Sequence, residues 1–198
     1  MDILSDTETK TLKDALLRPA GEEGEFNLYA ILDGASVRML PDSLIAPFPS
    51  EHLCLFRGEL DRITETRAPY LVRLIPDETT INWIIREGWG QHWGIFLKTK
   101  HDINMEMLRR HLRSFLQVRL PDSSIVLFRY YDPRVLRIYL PTCLPGELDT
   151  VFGPIQSFCL EAPSGQALLE YTYDGGGQRR LETNVSWTRK SAKDAVLV

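Results

Sequence analysis

The distribution of apolar residues restricts the fold of this sequence more than any other feature. Up to about residue 145, short apolar runs alternate with segments that have the spacing and end signals of helices. Four short runs predict strands, at 26–34, 52–56, 68–75 and 92–99. Three longer segments predict helices, at 5–18, at 77–88 and from 102 onward. This alternation predicts the α/β class, with a mixed β-sheet flanked by helices.

Capping residues indicate where several helices begin. Ser5 and Glu8 have the spacing of a capping box, and Asp77 stands at the N-cap of a helix that Gly88 ends. The helix from Asp102 has an apolar stripe that predicts its buried face, formed by Met105, Leu108, Leu112, Phe115 and Leu116.

The last third of the chain is richer in β-strand patterns. A short helix at 145–154 precedes three predicted strands, at 155–162, 167–173 and 179–187. We therefore expect an α/β core at 1–154 and a β-rich extension at 155–198 that packs on the same domain. The extension should continue the sheet in antiparallel fashion, with a flexible tail from about residue 188.

The charge of the chain argues against a general affinity for polyanions. The 198 residues have a formal net charge of −4, and the pI is about 5.6. We therefore expect neither nucleic acid nor a membrane among its partners. The start lacks the parts of a signal peptide, and no apolar run reaches the ~20 residues that span a bilayer. These features predict a cytoplasmic protein.

Sequence patterns for catalysis and for metal binding are lacking. The four histidines form no HxH, HxxxH or HExxH pair, and no serine stands in a GxSxG elbow. The glycines of "DGGGQ" (174–178) have strand patterns on both sides, which favours a hairpin over a phosphate-binding loop. The sequence predicts no catalytic residue, no metal and no cofactor.

The segment "RYYDPR" (129–134) has two interpretations. Asp132 and Pro133 occupy the positions that helices favour as N-cap and N1, so the segment is explained as the junction between a strand at 124–131 and a helix. In the other interpretation, Tyr131, Asp132 and Arg134 surround a pocket at the carboxyl end of that strand. A small hydrolase or phosphate-ester enzyme would place its site there.

Two further groups of residues have alternative interpretations. Trp89 and Trp93, in the glycine-containing stretch "EGWGQHWGIF" (87–96), are either lids on the core or anchors of an interface. The arginines at 109, 110, 113 and 119 form either an anion-binding face or a solvated helix face. Glu106 is spaced to pair with the first two of them.

Six stretches of the chain resemble, in the same order, a bacterial family known as domain of unknown function 4123. They are "LYAILDGA" (28–35), "CLFRGEL" (54–60), "APYLVRL" (68–74), "EGWGQHWGIFL" (87–97), "LRRHLRSFLQVRLPD" (108–122) and "VLFRYYDPRVLRIYLPTC" (126–143). Members of that family look like adaptor chaperones of type VI secretion. The resemblance implies a non-enzymatic protein that binds a toxic effector in the bacterial cytoplasm and helps to load it onto the VgrG spike, often with a PAAR-type tip.

An adaptor of this kind needs exposed apolar or aromatic surface, or an open sheet edge, to hold its client. We expect the partner-binding surface to include the C-terminal strands and the residues Trp89, Trp93, Arg129, Tyr130, Tyr131, Asp132 and Arg134. The alternatives are the enzyme with its site at Tyr130–Arg134 and a toxin or immunity protein encoded near a secretion cluster.

Overall fold

The computed structural model describes residues 4–19, 24–76, 79–175 and 178–183. These residues contain six α-helices and nine strands. The helices are α1 (Asp6–Leu16), α2 (Arg62–Arg67), α3 (Thr79–Gly88), α4 (Met105–Ser114), α5 (Pro133–Tyr139) and α6 (Pro145–Phe152). The strands are β1 (Phe26–Asp33), β2 (His52–Cys54), β3 (Pro69–Leu74), β4 (Gly94–Lys100), β5 (Gln117–Arg119), β6 (Ile125–Leu127), β7 (Ile155–Glu161), β8 (Leu168–Tyr173) and β9 (Gln178–Thr183). Within these ranges, no helix combines the length and the apolar character needed to cross a membrane.

Seven of the strands form one sheet in the order β2-β3-β1-β4-β7-β8-β9. The α/β class is confirmed, and so is the antiparallel arrangement of the C-terminal strands. The pairings among β1, β2, β3 and β4 are antiparallel as well, so the sheet predicted as mixed is antiparallel in every described pairing. β7 pairs with β4, so the C-terminal strands extend the same sheet. The predicted tail from residue 188 lies outside the described residues.

Both faces of the sheet are covered, and the alternation of side chains along each strand divides the core in two. On β1, Tyr29 and Ile31 pack on the side of α4, α5 and α6. Leu28, Ala30 and Leu32 pack on the other side, against α1 and α3. Strands buried on both faces appear in the sequence as nearly continuous apolar runs, which is why these strands were recognisable.

The predicted helix signals are largely confirmed. The Ser5 N–H donates to Glu8 Oε2 at 2.7 Å, and Ser5 Oγ accepts from the Glu8 N–H at 3.4 Å, which completes the capping box. All five residues of the predicted stripe are buried, although α4 ends at Ser114, before Phe115 and Leu116. The start of α4 differs, because Asn104 Oδ1 rather than Asp102 accepts the capping hydrogen bond, from the Met107 N–H at 2.9 Å. Asp77 lies outside the described residues.

The strand predicted at 124–131 is shorter in the structure, and it does not belong to the seven-stranded sheet. Its strand part, β6, pairs only with β5 in a separate two-stranded sheet, here called the ribbon (Gln117–Arg119 and Ile125–Leu127). The chain then turns, because the Asp132 N–H donates to the Arg129 carbonyl oxygen at 3.0 Å. The sequence patterns also missed α2 and β5, each of six residues or fewer.

A buried ion pair crosses the sheet from β4 to β8. Lys98 is fully buried, and its Nζ donates to Glu170 Oε1 at 2.8 Å and to the Arg18 carbonyl oxygen at 2.7 Å. Ser157 on β7, between the two strands, donates to the same carboxylate oxygen at 2.7 Å. The cluster therefore joins three strands of the sheet to the segment that follows α1.

Removal of one member of this pair should destabilise the protein more than removal of both. Glu170→Leu leaves the ammonium of Lys98 buried without its counter-charge, which we expect to cost about 3–5 kcal/mol of unfolding free energy. The double variant Lys98→Met/Glu170→Leu should recover most of that loss. Urea unfolding of the wild type, both single variants and the double variant measures the coupling, and additive single effects would contradict the prediction.

Alanine substitutions at two glycines, one in β4 and one in α6, test whether the chain packs closely at the first of them. A Cβ added at Gly94 would lie 1.9 Å from the Ile31 carbonyl oxygen, whereas one added at Gly146 in α6 would meet nothing within 4 Å. We expect Gly94→Ala to lose more than about 3 kcal/mol of stability through overpacking. Gly146→Ala should be neutral or stabilising by up to about 1 kcal/mol. Urea midpoints that fall equally in both variants would contradict close packing at Gly94.

Candidate functional site

The junction at 129–134 is built around the carboxylate of Asp132. This residue precedes α5, and its Oδ1 accepts from the Arg134 N–H at 2.9 Å, which confirms it as the N-cap before Pro133. The Arg134 side chain adds bonds from Nε at 3.0 Å and Nη2 at 2.7 Å. Burial opposes ionisation, but the hydrogen bonds from Arg134 and the charges of Arg134 and Arg129 hold the pKa of Asp132 below its ordinary value.

Arg129 connects this junction to the end of β1. Its guanidinium donates to Asp33 Oδ2 and lies 3.8 Å from the Asp132 carboxylate. Asp33 is 1% exposed, and it also accepts from the Ala35 N–H and the Ser36 hydroxyl, both at 3.0 Å. Two carboxylates and two guanidinium groups therefore form one cluster, here called the junction cluster (Asp33, Arg129, Asp132 and Arg134).

The two tyrosines of the junction are buried. The Tyr130 hydroxyl donates to the Leu112 carbonyl oxygen at 3.0 Å, and burial raises the pKa of Tyr130 well above its ordinary value. Burial and then the charge of Asp33 raise the pKa of Tyr131 to about 12. Both hydroxyls keep their protons at neutral pH, so neither tyrosine presents a phenolate to a substrate.

The tryptophan loop (residues 89–93) lies beside the junction cluster. Trp89 is 5% exposed, and its Nε1 donates to the Gly165 carbonyl oxygen at 2.8 Å. Trp93 is half-buried, with its ring 5.2 Å from that of Trp83. Its carbonyl oxygen accepts from the Asp33 N–H at 2.8 Å, which joins the loop to the end of β1. Trp89 is thus a core side chain, and Trp93 borders the surface.

Glu161 holds the tryptophan loop against the end of β7. Its carboxylate is buried and bonds to His92 Nδ1 and to the Gly90 N–H. The Glu161 carbonyl oxygen accepts from Arg137 Nη1 on α5 at 2.6 Å. The sequence patterns identified neither Glu161 nor Asp33 as a candidate site residue. The available signal was the same in both cases, a carboxylate that ends a buried apolar strand.

The structure thus divides the predicted contact residues into two groups. Side-chain surface remains accessible on Trp93, Arg129 and Arg134. The second group is buried and consists of Trp89, Tyr130, Tyr131 and Asp132. The junction does not lie at the carboxyl end of a parallel strand, where open α/β sheets bind ligands, because β6 belongs to the separate ribbon and pairs antiparallel. The buried residues position the accessible ones.

The arginines of α4 have a role that neither interpretation of the sequence included. Arg109 Nε donates to the Cys54 carbonyl oxygen at 3.0 Å, and Arg113 Nε donates to that of Leu55 at 2.9 Å. The pairing of Arg109 with Glu106 is present at 3.4 Å. These two arginines therefore bind the main chain at the end of β2 and just after it.

The ribbon presents apolar side chains to solvent. On β6, Ile125, Val126 and Leu127 are 59%, 37% and 40% exposed. One face of the ribbon borders an open groove of about 570 Å³, here called the ribbon groove, which is lined by Leu55, Phe56, Arg57, Leu60, Arg113, Ser114, Leu116, Gln117 and Leu127. Exposed apolar surface of this kind marks interaction sites on soluble proteins.

A protein-family model described as "Domain of unknown function (DUF4123)" matches residues 28–150, more than half of the chain. No curated protein and no solved structure matched the chain. The matched range includes the junction cluster, the tryptophan loop, the ribbon and the ribbon groove, and it ends before β7.

Substitution of Asp132 should reveal the contribution of its charge through the pH dependence of stability. Asp132→Asn keeps a residue favoured at the N-cap but removes the charge that Arg134 binds, and we expect a loss of about 1 kcal/mol at neutral pH. A lowered folded-state pKa stabilises the fold above the unfolded-state pKa of about 3.9. The difference between wild type and variant should therefore vanish as the pH falls through the folded-state pKa.

Urea unfolding of wild type and variant between about pH 7 and pH 2 measures this difference. Asp14→Asn, on the exposed side of α1, is the control for loss of an acidic charge outside the junction cluster. A stability difference for Asp132→Asn that stays constant over the whole pH range would show that the charge contributes nothing.

Proposed function

The chain belongs to the DUF4123 family, and from this membership we propose that it is a non-enzymatic adaptor or chaperone of type VI secretion. It binds a toxic effector in the bacterial cytoplasm and helps to load that effector onto the VgrG spike or a PAAR-type tip. The proposal rests on the resemblance of its motifs to such adaptors. The matched residues 28–150 contain all six of those stretches and the exposed ribbon.

The exposed ribbon is the structural observation that best supports this proposal. Three successive residues of β6 expose apolar side chains, and the ribbon stands apart from the seven-stranded sheet. A short two-stranded ribbon has little stability of its own and offers its edges for pairing with another chain. A protein that must hold part of a client needs surface of this kind.

The character of the surrounding surface favours a complex that can dissociate. Apolar residues of the ribbon groove alternate with arginines and with polar side chains such as Ser114 and Gln117. Arg129 and Arg134, whose side chains are 40% and 52% exposed, lie at the base of the ribbon. Mixed surfaces are typical of reversible complexes, whereas permanent dimers use larger and more apolar interfaces.

The contacts of Asp132 support a structural role for the junction rather than the alternative enzyme. A general base must reach a proton on a substrate. Both carboxylate oxygens of Asp132 already accept hydrogen bonds from Arg134, and the residue is 3% exposed. Its lowered pKa also makes it a weaker base.

Co-expression tests the adaptor proposal directly. The chain should form a stoichiometric complex with one of the effectors encoded beside it, alone or together with the matching VgrG, and that effector should be less soluble without the chain. Size-exclusion chromatography with light scattering measures the stoichiometry. Absence of a complex with every neighbour, together with hydrolase turnover that Asp132→Asn abolishes, would support the enzyme instead.

A pair of variants tests whether the ribbon forms the client surface. Ile125→Asp places a charge on the ribbon, and we expect it to weaken effector binding by about tenfold or more. Ile75→Asp is the matched control, because Ile75 is 47% exposed but follows β3 at the opposite end of the sheet. Equal affinities of the two variants for the effector would place the client surface elsewhere.

A further inference from the structure

The ribbon groove combines an apolar floor with positive charge. The apolar lining comes from three parts of the chain, the segment after β2, the end of α4 and the ribbon, and consists of Leu55, Phe56, Leu60, Leu116 and Leu127. Arg57 and Arg113 line the same groove. The size of about 570 Å³ is sufficient for several side chains of a partner.

The register of the ribbon shows which of its residues extend this groove. Gln117 lies opposite Leu127, and Arg119 lies opposite Ile125. Residues two apart on a strand share a face, and Gln117 and Leu127 line the groove. Arg119 and Ile125 therefore continue the groove wall toward the tip of the ribbon, while Val126 lies on the opposite face.

The hydrogen-bond pattern directs main-chain groups of β6 outward. The Phe128 N–H donates to the Leu116 carbonyl oxygen, and the Leu120 N–H donates to that of Ser124, both at 2.9 Å. In an antiparallel pair, hydrogen-bonded and non-bonded residue pairs alternate. Ile125 and Leu127 are in the non-bonded positions, so their N–H and C=O groups point away from β5.

The arginines of the groove form no ion pair with a carboxylate among the described residues. In the part of the chain that the structure describes, no carboxylate lies within 4.0 Å of the guanidinium nitrogens of Arg57, Arg113 or Arg119. Arg113 donates instead to neutral carbonyl oxygens of residues 54–56. Burial and the charges of Arg109 and Arg57 lower the pKa of Arg113, as expected for neighbouring cations. This local excess of positive charge occurs in a chain with a net charge of −4.

We propose that the ribbon groove binds an extended segment of the client that carries apolar and acidic side chains in turn at every second position, on the face toward the groove. The proposal rests on the adaptor function and names the chemistry of the client segment. Apolar side chains of the segment contact Phe56, Leu60 and Leu127, which keep accessible surface, and its carboxylates meet Arg57, Arg113 and Arg119. The outward N–H and C=O groups of β6 pair with its main chain, so the segment adds a third strand to the ribbon.

The extended conformation follows from the geometry of both partners. Every second side chain of a strand lies on the same face, so a segment with leucine and glutamate in turn at every second position presents both side chains to the groove. The groove offers apolar contacts and cations to such a segment, and the edge of β6 offers main-chain hydrogen bonds. A helix would leave those edge groups without main-chain partners, because its own N–H and C=O groups bond internally.

A synthetic peptide tests this proposal without knowledge of the client. The probe is a fluorescein-labelled peptide of repeated Leu-Ser-Glu-Ser units, which places leucine and glutamate on one face of the extended chain, and its counterpart has lysine in place of glutamate. Fluorescence anisotropy with the full chain should give a Kd at least about tenfold lower for the acidic peptide. Binding should weaken as salt rises from about 0.05 M to about 0.5 M, because salt screens the charges. Equal or absent binding of the two peptides overturns the proposal.

Charge-reversal variants test whether the acidic peptide binds in the ribbon groove. Arg57→Glu/Arg119→Glu should raise the Kd of the acidic peptide by at least about tenfold. Lys10→Glu/Lys100→Glu makes the same change of charge on exposed residues of α1 and of the opposite end of the sheet, and it should leave the Kd nearly unchanged. Equal losses in both double variants would show that only the net charge of the chain matters, which overturns the proposal.

Two neighbouring residues of β6 test the apolar contact. Leu127→Ser changes the groove face, and Val126→Ser changes the opposite face of the same strand. Leu127→Ser should raise the Kd at least about threefold more than Val126→Ser does. Thermal unfolding of each variant confirms that it folds. Equal effects of the two substitutions would contradict a segment seated in the groove.

Failure of this proposal is distinguishable from failure of the adaptor function. An effector complex that forms normally with Arg57→Glu/Arg119→Glu would leave the adaptor function intact and remove the groove as its client site. Groove-dependent peptide binding without any effector complex would support the binding chemistry of the groove and contradict the assigned client.

Discussion

Burial of both faces of the seven-stranded sheet is the constraint on which the rest of the structure depends. Each central strand must be apolar on both sides, so helices must cover both sides. Neighbouring strands also lie close together within the sheet. At Gly94 the distance to the Ile31 carbonyl oxygen leaves no room for a Cβ. Polar groups inside such a core need partners, and Lys98 and Glu170 accordingly occur together.

The junction cluster connects the ribbon to the buried core of the sheet. Arg129 follows the ribbon closely and binds Asp33, which ends β1, while Asp132 starts α5 and binds Arg134. Phe128 closes the base of the ribbon by its bond to the Leu116 carbonyl oxygen and packs its ring on α5. The base of the ribbon is therefore fixed by buried charges and rings, and its apolar residues remain available at the surface.

Several residues have structural roles that their side-chain types do not suggest. Asp132 and Tyr131 are residue types common in active sites, yet their hydrogen bonds and burial serve the junction between ribbon and helix. Arg113, which resembles a solvated surface residue in the sequence, binds main-chain carbonyl oxygens and lines the ribbon groove. A rigid base beneath an exposed, mixed surface is what a client-binding protein requires. On this basis the adaptor proposal explains the junction and the ribbon together.

The sequence by itself determined the α/β class, most element positions, the capping box at Ser5 and the N-cap at Asp132, because period, propensity and capping are local properties. It also carried the family motifs. Only the tertiary structure decided that Asp33 meets Arg129, since their partnership joins residues 96 positions apart. The same holds for the separation of the ribbon from the sheet. Strand pairing and long-range ion pairs depend on which segments meet in space, and local sequence patterns do not contain that information.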